Sequence, residues 1–115
     1  MSGKTDGNSP PCQRTPSQCE SMEHVRAEID RLDNELVDLM AERFGYVERA
    51  WQLKTRPEEA HVPWRIQQVI DRVRKRASDR GVSPDLAEAM WRQMIGWFIQ
   101  YEEEKLSEPR GGEKA

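Results

Sequence analysis

Residues 25–54, VRAEIDRLDNELVDLMAERFGYVERAWQLK, carry the strongest structural signal in the sequence. The stretch contains no proline and one glycine, so it predicts a single helix from near Ser21 to about Lys54. Apolar residues recur at alternating steps of four and three, which is the spacing of a heptad stripe along one helix face. Arg43 occupies a position on this stripe where the pattern requires an apolar residue. The apolar members of the stripe are Val25, Ile29, Leu32, Leu36, Leu39, Tyr46, Ala50 and Leu53.

Two shorter patterns predict further helices. Pro57 marks a loop, Pro63 suits the first turn of a second helix, and Gly81 suits its C-terminal end. The sequence SPD at 83–85 gives a third helix a cap, a proline in its first turn and an acidic residue near its positive end. We therefore expect an all-α domain over residues 21–106 with a long, a short and a long helix and no strand.

Composition excludes several classes of protein. Of the 115 residues, 34% are charged and 36% hydrophobic, with a formal net charge of -3. No apolar run approaches the roughly 18 residues of a membrane-spanning helix, and the N-terminus lacks the apolar core of a signal peptide. The mild net acidity argues against nucleic-acid binding. We expect a cytoplasmic protein without nucleic-acid or membrane partners.

Both ends of the chain are predicted to be disordered tails. Residues 1–20 are rich in Ser, Pro, Gly, Gln and Thr, and residues 107–115 read SEPRGGEKA, so neither can bury enough apolar surface to offset its ordering entropy. The two cysteines, Cys12 and Cys19, both lie in the first tail. Two thiols do not complete a zinc site, which normally takes four protein ligands. We expect no metal and no essential thiol chemistry.

The first helix is too long for one small domain to cover. About 30 residues at about 1.5 Å each make a rod of about 45 Å, whereas a domain of about 86 residues has a radius of gyration of about 12 Å. The segment LAEAMWRQMIGWFIQY at 86–101 is apolar on nearly every side, so it also needs more than one buried face. A homodimer of long helices would cover both surfaces.

Three cations on the first helix have a distinctive arrangement. Arg43 and Lys54 are separated by about 1100° of rotation, so they project within about 20° of each other and about 16 Å apart. Val47 and Ala50 lie between them, and the resulting slot with cationic ends and small apolar walls suits a small anion. Arg26 lies about 100° from that face and about 25 Å away along the helix. It could therefore reach only the slot of a partner chain.

The other two helices each add one candidate. Arg65 lies in the first turn of the second helix, where the helix dipole already favours anions. Glu102 shares one face of the third helix with Trp91, Ile95 and Phe98 within about 40°, which places a carboxylate at the end of an apolar stripe. Each of these charged side chains has an ordinary alternative, in which its stem covers the core and its charge is solvated.

The whole pattern resembles the all-helical chorismate mutase family. Residues 25–54 are similar to the first helix of that family, with Ile/Val-Arg-x-x-Ile-Asp-x-Leu/Ile-Asp followed by an arginine and a lysine, and the resemblance extends over about residues 22–105. It implies an intertwined all-α homodimer in which each active site borrows an arginine from the partner. It also implies a pericyclic rearrangement of the dicarboxylate chorismate to prephenate, with no covalent intermediate and no cofactor.

The resemblance also implies a role for each candidate. Such an enzyme holds the substrate in its reactive conformer and stabilises negative charge on the breaking ether oxygen. The substrate-binding residues would be Arg26 from the partner together with Arg43 and Arg65. The catalytic residues would be Lys54 and Glu102.

Two departures from the family pattern leave the substrate open. Bacterial mutases of the family carry glutamine at the position of Glu102, and a glutamate there must be protonated to donate a hydrogen bond. They also follow the second-helix arginine with a glutamate that binds the substrate hydroxyl, where this chain has Ile66. PWRIQQVI and IGWFI are similar to the related isochorismate pyruvate-lyases. We favour a chorismate mutase, with an isochorismate pyruvate-lyase, an aminodeoxychorismate mutase and a non-catalytic dicarboxylate-binding dimer as alternatives.

The segment between the first two helices, TRPEEAHV at 55–62, joins two cation-bearing helix ends. The sequence offers it little to pack with. We therefore expect it to be a mobile lid that becomes ordered when a dicarboxylate binds.

Overall fold

The computed structural model describes residues 13–109, and within that range all regular structure is helical. The three α-helices are α1 (Met22–Leu53), α2 (Pro63–Asp79) and α3 (Pro84–Ser107), and 3-10 helices occupy Pro16–Gln18 and Pro57–Ala60. The predicted all-α class with long, short and long helices is confirmed. Most of both predicted tails, 1–12 and 110–115, lies outside the described residues, as does Cys12. None of the described helices has the length and apolarity needed to cross a membrane.

The helix ends are set by local chemistry. The Ser21 hydroxyl accepts a hydrogen bond of 3.2 Å from the N–H of His24 at the start of α1. The Ser83 side chain does the same for the N–H of Leu86 at the start of α3, at 3.3 Å. Gly81 has a φ of 79°, in the left-handed region that glycine adopts without steric penalty, and it ends the turn that leaves α2. These are the ends that the sequence predicts, to within about two residues.

The described chain forms two compact units that divide within α1, between Phe44 and Gly45. In the first unit, residues 13–20 lie beside the start of α1, and the N–H of Arg14 donates to the Glu28 carboxylate at 3.2 Å. This hydrogen bond and one from Arg31 lower the pKa of Glu28. The predicted N-terminal tail therefore includes a segment with defined local contacts.

The apolar stripe of α1 is exposed in this first unit. Four of its members have between 46% and 61% of their surface accessible to solvent, namely Ile29, Leu32, Leu36 and Leu39. Isolated exposed apolar residues are common, but here four of them lie in a row along one helix face, which the described part of the chain leaves exposed.

The second unit is built on the packing of α2 against α3. Ile70 of α2 is its most deeply buried large side chain, at 1% exposure. Arg74 crosses from α2 to pair with Asp85 at 3.0 Å and with Glu88 at 2.8 Å, near the turn that joins the two helices. The other buried apolar residues of this unit are Ala60, Val69, Ala77, Ala87 and Leu106.

The segment between α1 and α2 has more packing than the sequence predicts. Pro57–Ala60 forms a 3-10 helix that packs against α3, and Ala60 is buried with 7% exposure. The prediction that 55–62 has little to pack with is therefore wrong. A small residue in a short turn can fit closely against a helix, and the sequence pattern alone does not reveal such a fit.

Candidate active site

Lys54 and Glu102 meet where α1 ends beside α3. Lys54 Nζ lies 2.7 Å from Glu102 Oε1, and the side chains are 26% and 9% exposed, respectively. The backbone N–H of Lys54 still bonds to the carbonyls of Ala50 and Trp51, so Lys54 continues the last turn of α1. The sequence predicts both residues as catalytic candidates, and the structure brings them into direct contact.

The burial of Glu102 sets it apart from the other charged residues. Within residues 13–109 it is the only charged residue that is buried. A buried carboxylate is costly unless it is paired, and a buried ion pair seldom stabilises a fold more than apolar residues of the same size would. A buried carboxylate that meets a half-buried ammonium group at the end of an apolar face is therefore a candidate for function rather than a device for stability.

A second polar contact joins α1 to α3 beside this pair. The hydroxyl of Tyr101 donates a hydrogen bond to the Glu48 carboxylate, and the Trp51 indole N–H donates to Glu48 at 3.0 Å. The Trp97 ring stacks on Tyr101 with centroids 5.6 Å apart. The Glu48 carboxylate stabilises the protonated phenol and, with burial, raises the pKa of Tyr101 to about 12.

Sequence reasoning missed both Glu48 and Tyr101. The two are separated by 53 residues, and neither belongs to a motif, so their pairing has no signal in the spacing. The nearest clue is that Tyr101 directly precedes Glu102. The contact holds the last turns of α1 against the part of α3 that carries Glu102.

Replacing Tyr101 with phenylalanine should lower the free energy of unfolding by about 1 kcal/mol at neutral pH. Because the folded-state pKa of Tyr101 is raised to about 12 from an ordinary value of 10.0, the Tyr101 contribution is complete below pH 10.0 and is lost as pH rises toward 12. The measurement is urea unfolding of wild type and variant at about pH 8 and about pH 11. Their difference in free energy of unfolding should be smaller at about pH 11 than at about pH 8.

The matched control is Tyr46→Phe, which changes the exposed tyrosine of α1. In this variant Tyr101 is intact, so the free energy of unfolding should fall between about pH 8 and about pH 11 as much as it does in wild type. Equal pH dependence in the two variants would contradict the role assigned to the contact between Tyr101 and Glu48.

The other predicted site residues are placed as follows. Arg65 is exposed in the first turn of α2, in the same unit as Lys54 and Glu102, and donates to Gln68 at 2.6 Å. Arg26 and Arg43 belong to the first unit, where Arg26 is exposed and Arg43 is half-buried. The structure of the second unit thus assembles the two catalytic candidates, with one binding candidate on the surface of that unit.

Comparison with known proteins places these residues in a family. Residues 25–103 match the sequence model of the family described as chorismate mutase type II. The chain belongs to the chorismate mutase type II family. The resemblance predicted from the first helix is confirmed, and the matched residues include all five predicted site residues. Membership of the chorismate mutase type II family supports an enzyme of this class.

One relative of this chain carries the name of a different enzyme. A protein of Pseudomonas aeruginosa named isochorismate pyruvate lyase is 26% identical to this chain over 98 residues. The alignment covers 85% of this chain and 97% of that protein, so the likeness extends over nearly its whole length. The family description and the name of this relative point to two different reactions.

Proposed function

We propose that this member of the chorismate mutase type II family converts chorismate to prephenate. The observation that carries the proposal is the Lys54–Glu102 pair, because it places a half-buried ammonium group against a buried carboxyl group. The rearrangement breaks a C–O bond and forms a C–C bond within one molecule, without a nucleophile or a net proton transfer. Its main requirement is stabilisation of the negative charge that develops on the ether oxygen.

Lys54 suits that requirement. An ammonium group has three donors, so Lys54 can keep its hydrogen bond to Glu102 while it donates another to the ether oxygen. Glu102, when protonated, has a donor of its own for the same oxygen. In the proposal Arg43, Arg65 and the Arg26 of a partner chain bind the two substrate carboxylates, because the guanidinium fork matches carboxylate geometry.

The proposal includes a homodimer with shared active sites. The exposed apolar stripe of α1 supports it, since a second α1 is the natural surface to cover such a stripe. Exposed apolar side chains on α3 support it as well, namely Leu86, Met90 and Trp97. The proposed location is the cytoplasm, as the composition predicts.

A second candidate is an isochorismate pyruvate-lyase, which forms salicylate and pyruvate from isochorismate. Two observations favour it: the name of the Pseudomonas aeruginosa relative, and Ile66 at the position where the mutase pattern has a glutamate for the substrate hydroxyl. Ile66 is half-buried beside Arg65. This reaction is also pericyclic and would use the same cations.

Incubation of the purified protein with chorismate and, separately, with isochorismate distinguishes these functions. We expect prephenate from chorismate as the faster reaction, with products identified by chromatography and mass spectrometry. Faster release of salicylate and pyruvate from isochorismate would establish the lyase instead. Binding of a dicarboxylate analogue without turnover of either substrate would indicate a non-catalytic dimer. A Lys54→Ala variant purified in parallel controls for contaminating activity.

A further inference from the structure

The Glu59 carboxylate holds the backbone that follows Lys54. Its Oε1 accepts hydrogen bonds from the N–H of Thr55 at 2.7 Å and from the N–H of Arg56 at 3.4 Å. Its Oε2 contacts the Thr55 hydroxyl at 3.4 Å. The hydrogen bond from Thr55 is the main reason that the pKa of Glu59 is lowered, so this acceptor is ionised at neutral pH.

The turn that carries Glu59 is itself attached to α3. Residues 57–60 pack against that helix, and Ala60 is buried there. Glu102 is a residue of α3. Glu59 therefore connects the backbone just after Lys54 to the helix that bears the partner of Lys54.

We propose that Glu59 is a positioning residue that directs the Lys54 side chain toward Glu102. The N–H of Thr55 is the donor of the peptide that joins Lys54 to Thr55, so holding it fixes the orientation of that peptide. A helix end without such a bond samples several backbone conformations, each of which sends the last side chain in a different direction. This inference rests on the proposed function, because it assigns Glu59 a role through the catalytic Lys54.

Glu58 provides a matched control. It carries the same charge on the same turn and is exposed, whereas Glu59 is half-buried. Replacing either glutamate by alanine removes one negative charge from this turn. A difference between the two variants therefore reports the hydrogen bonds of Glu59 and not the charge of the turn.

Kinetics provide the first test. Glu59→Ala should lower kcat on the preferred substrate about 10-fold with little change in KM, because a misdirected Lys54 weakens transition-state stabilisation more than binding. Glu59→Gln keeps a side-chain acceptor and should restore most of the rate. Glu58→Ala should match wild type. In a Lys54→Ala background Glu59→Ala should cause no further loss, whereas a merely structural role would add its effect.

Nuclear magnetic resonance provides a test that needs no turnover. Glu59→Ala should speed amide exchange at Thr55 and should broaden or shift the Lys54 ammonium signal, while Glu59→Gln and Glu58→Ala should resemble wild type. An unchanged Lys54 signal in Glu59→Ala would overturn the proposal, and so would equal kcat losses in the Glu58 and Glu59 variants. If wild type turns over neither substrate, the proposed function fails, and the Lys54 signal still decides whether Glu59 positions that side chain.

Discussion

Replacing Lys54 with alanine is expected to lower kcat on the preferred substrate by about 10²- to 10³-fold. The physical reason is that, in the proposed reaction, the variant lacks the charged donor for the negative charge that develops on the ether oxygen. Its position beside the buried Glu102 makes water a poor replacement for that donor. The measurement is steady-state kinetics, in which kcat should fall far more than KM rises. A loss below about 5-fold would remove Lys54 from the catalytic role.

Two further variants separate catalysis from folding. Lys54→Ala leaves the Glu102 carboxylate without its ammonium partner, which should lower the free energy of unfolding by about 1–3 kcal/mol. A Lys54→Met/Glu102→Gln double variant removes both charges, so it should stay folded and still be inactive. The matched surface control is Lys75→Ala, which breaks the exposed pair with Asp79 and should leave activity unchanged.

Replacing Arg26 with alanine is expected to lower the activity by a similar factor. Mixing this variant with Lys54→Ala should reveal in which chain's site Arg26 acts. Arg26→Ala and Lys54→Ala should each be nearly inactive alone. If the chain dimerises with shared sites, unfolding and refolding an equal mixture should restore about a quarter of the wild-type activity. The reason is that half of the dimers are mixed, and in each of those both lesions fall in one site.

The mixing experiment has its own controls. Sedimentation equilibrium should show a dimer for each variant, and differently tagged chains should show that mixed dimers form. Arg49→Ala, which changes an exposed arginine of the same helix, should retain activity alone. Mixed dimers that form but remain inactive would place Arg26 outside the partner's site. A folded monomer would refute the shared site altogether.

The helices could be predicted from the sequence because their signals are local. Ser83 caps α3 through an N–H only three residues away, and Gly81 adopts its left-handed φ for steric reasons that do not depend on the rest of the fold. The face on which Glu102 lies follows from the helical period, and its burial agrees with that face. The cationic positions and the motif of the first helix were also enough to identify the family, which the match over 25–103 bears out.

The contacts between these helices could not be predicted in the same way. Lys54 and Glu102 are separated by 48 residues, so no spacing along one helix indicates that their side chains meet. Two further contacts also join segments that are distant in the sequence, namely the hydrogen bond between Tyr101 and Glu48 and the packing of residues 57–60 on α3. Each depends on how two elements distant in the chain approach each other.

The helical class and the helix ends follow from the sequence alone, since propensity, capping and periodicity act within a few residues. The sequence also nominates the five candidate site residues, which remain a prediction. Which charges meet, how deeply Glu102 is buried and that Glu59 holds the backbone after Lys54 could be seen only in three dimensions. The reason is that burial and hydrogen bonding between distant segments are set by the packing of α2, α3 and residues 57–60 within the second unit, which spacing along one helix does not encode.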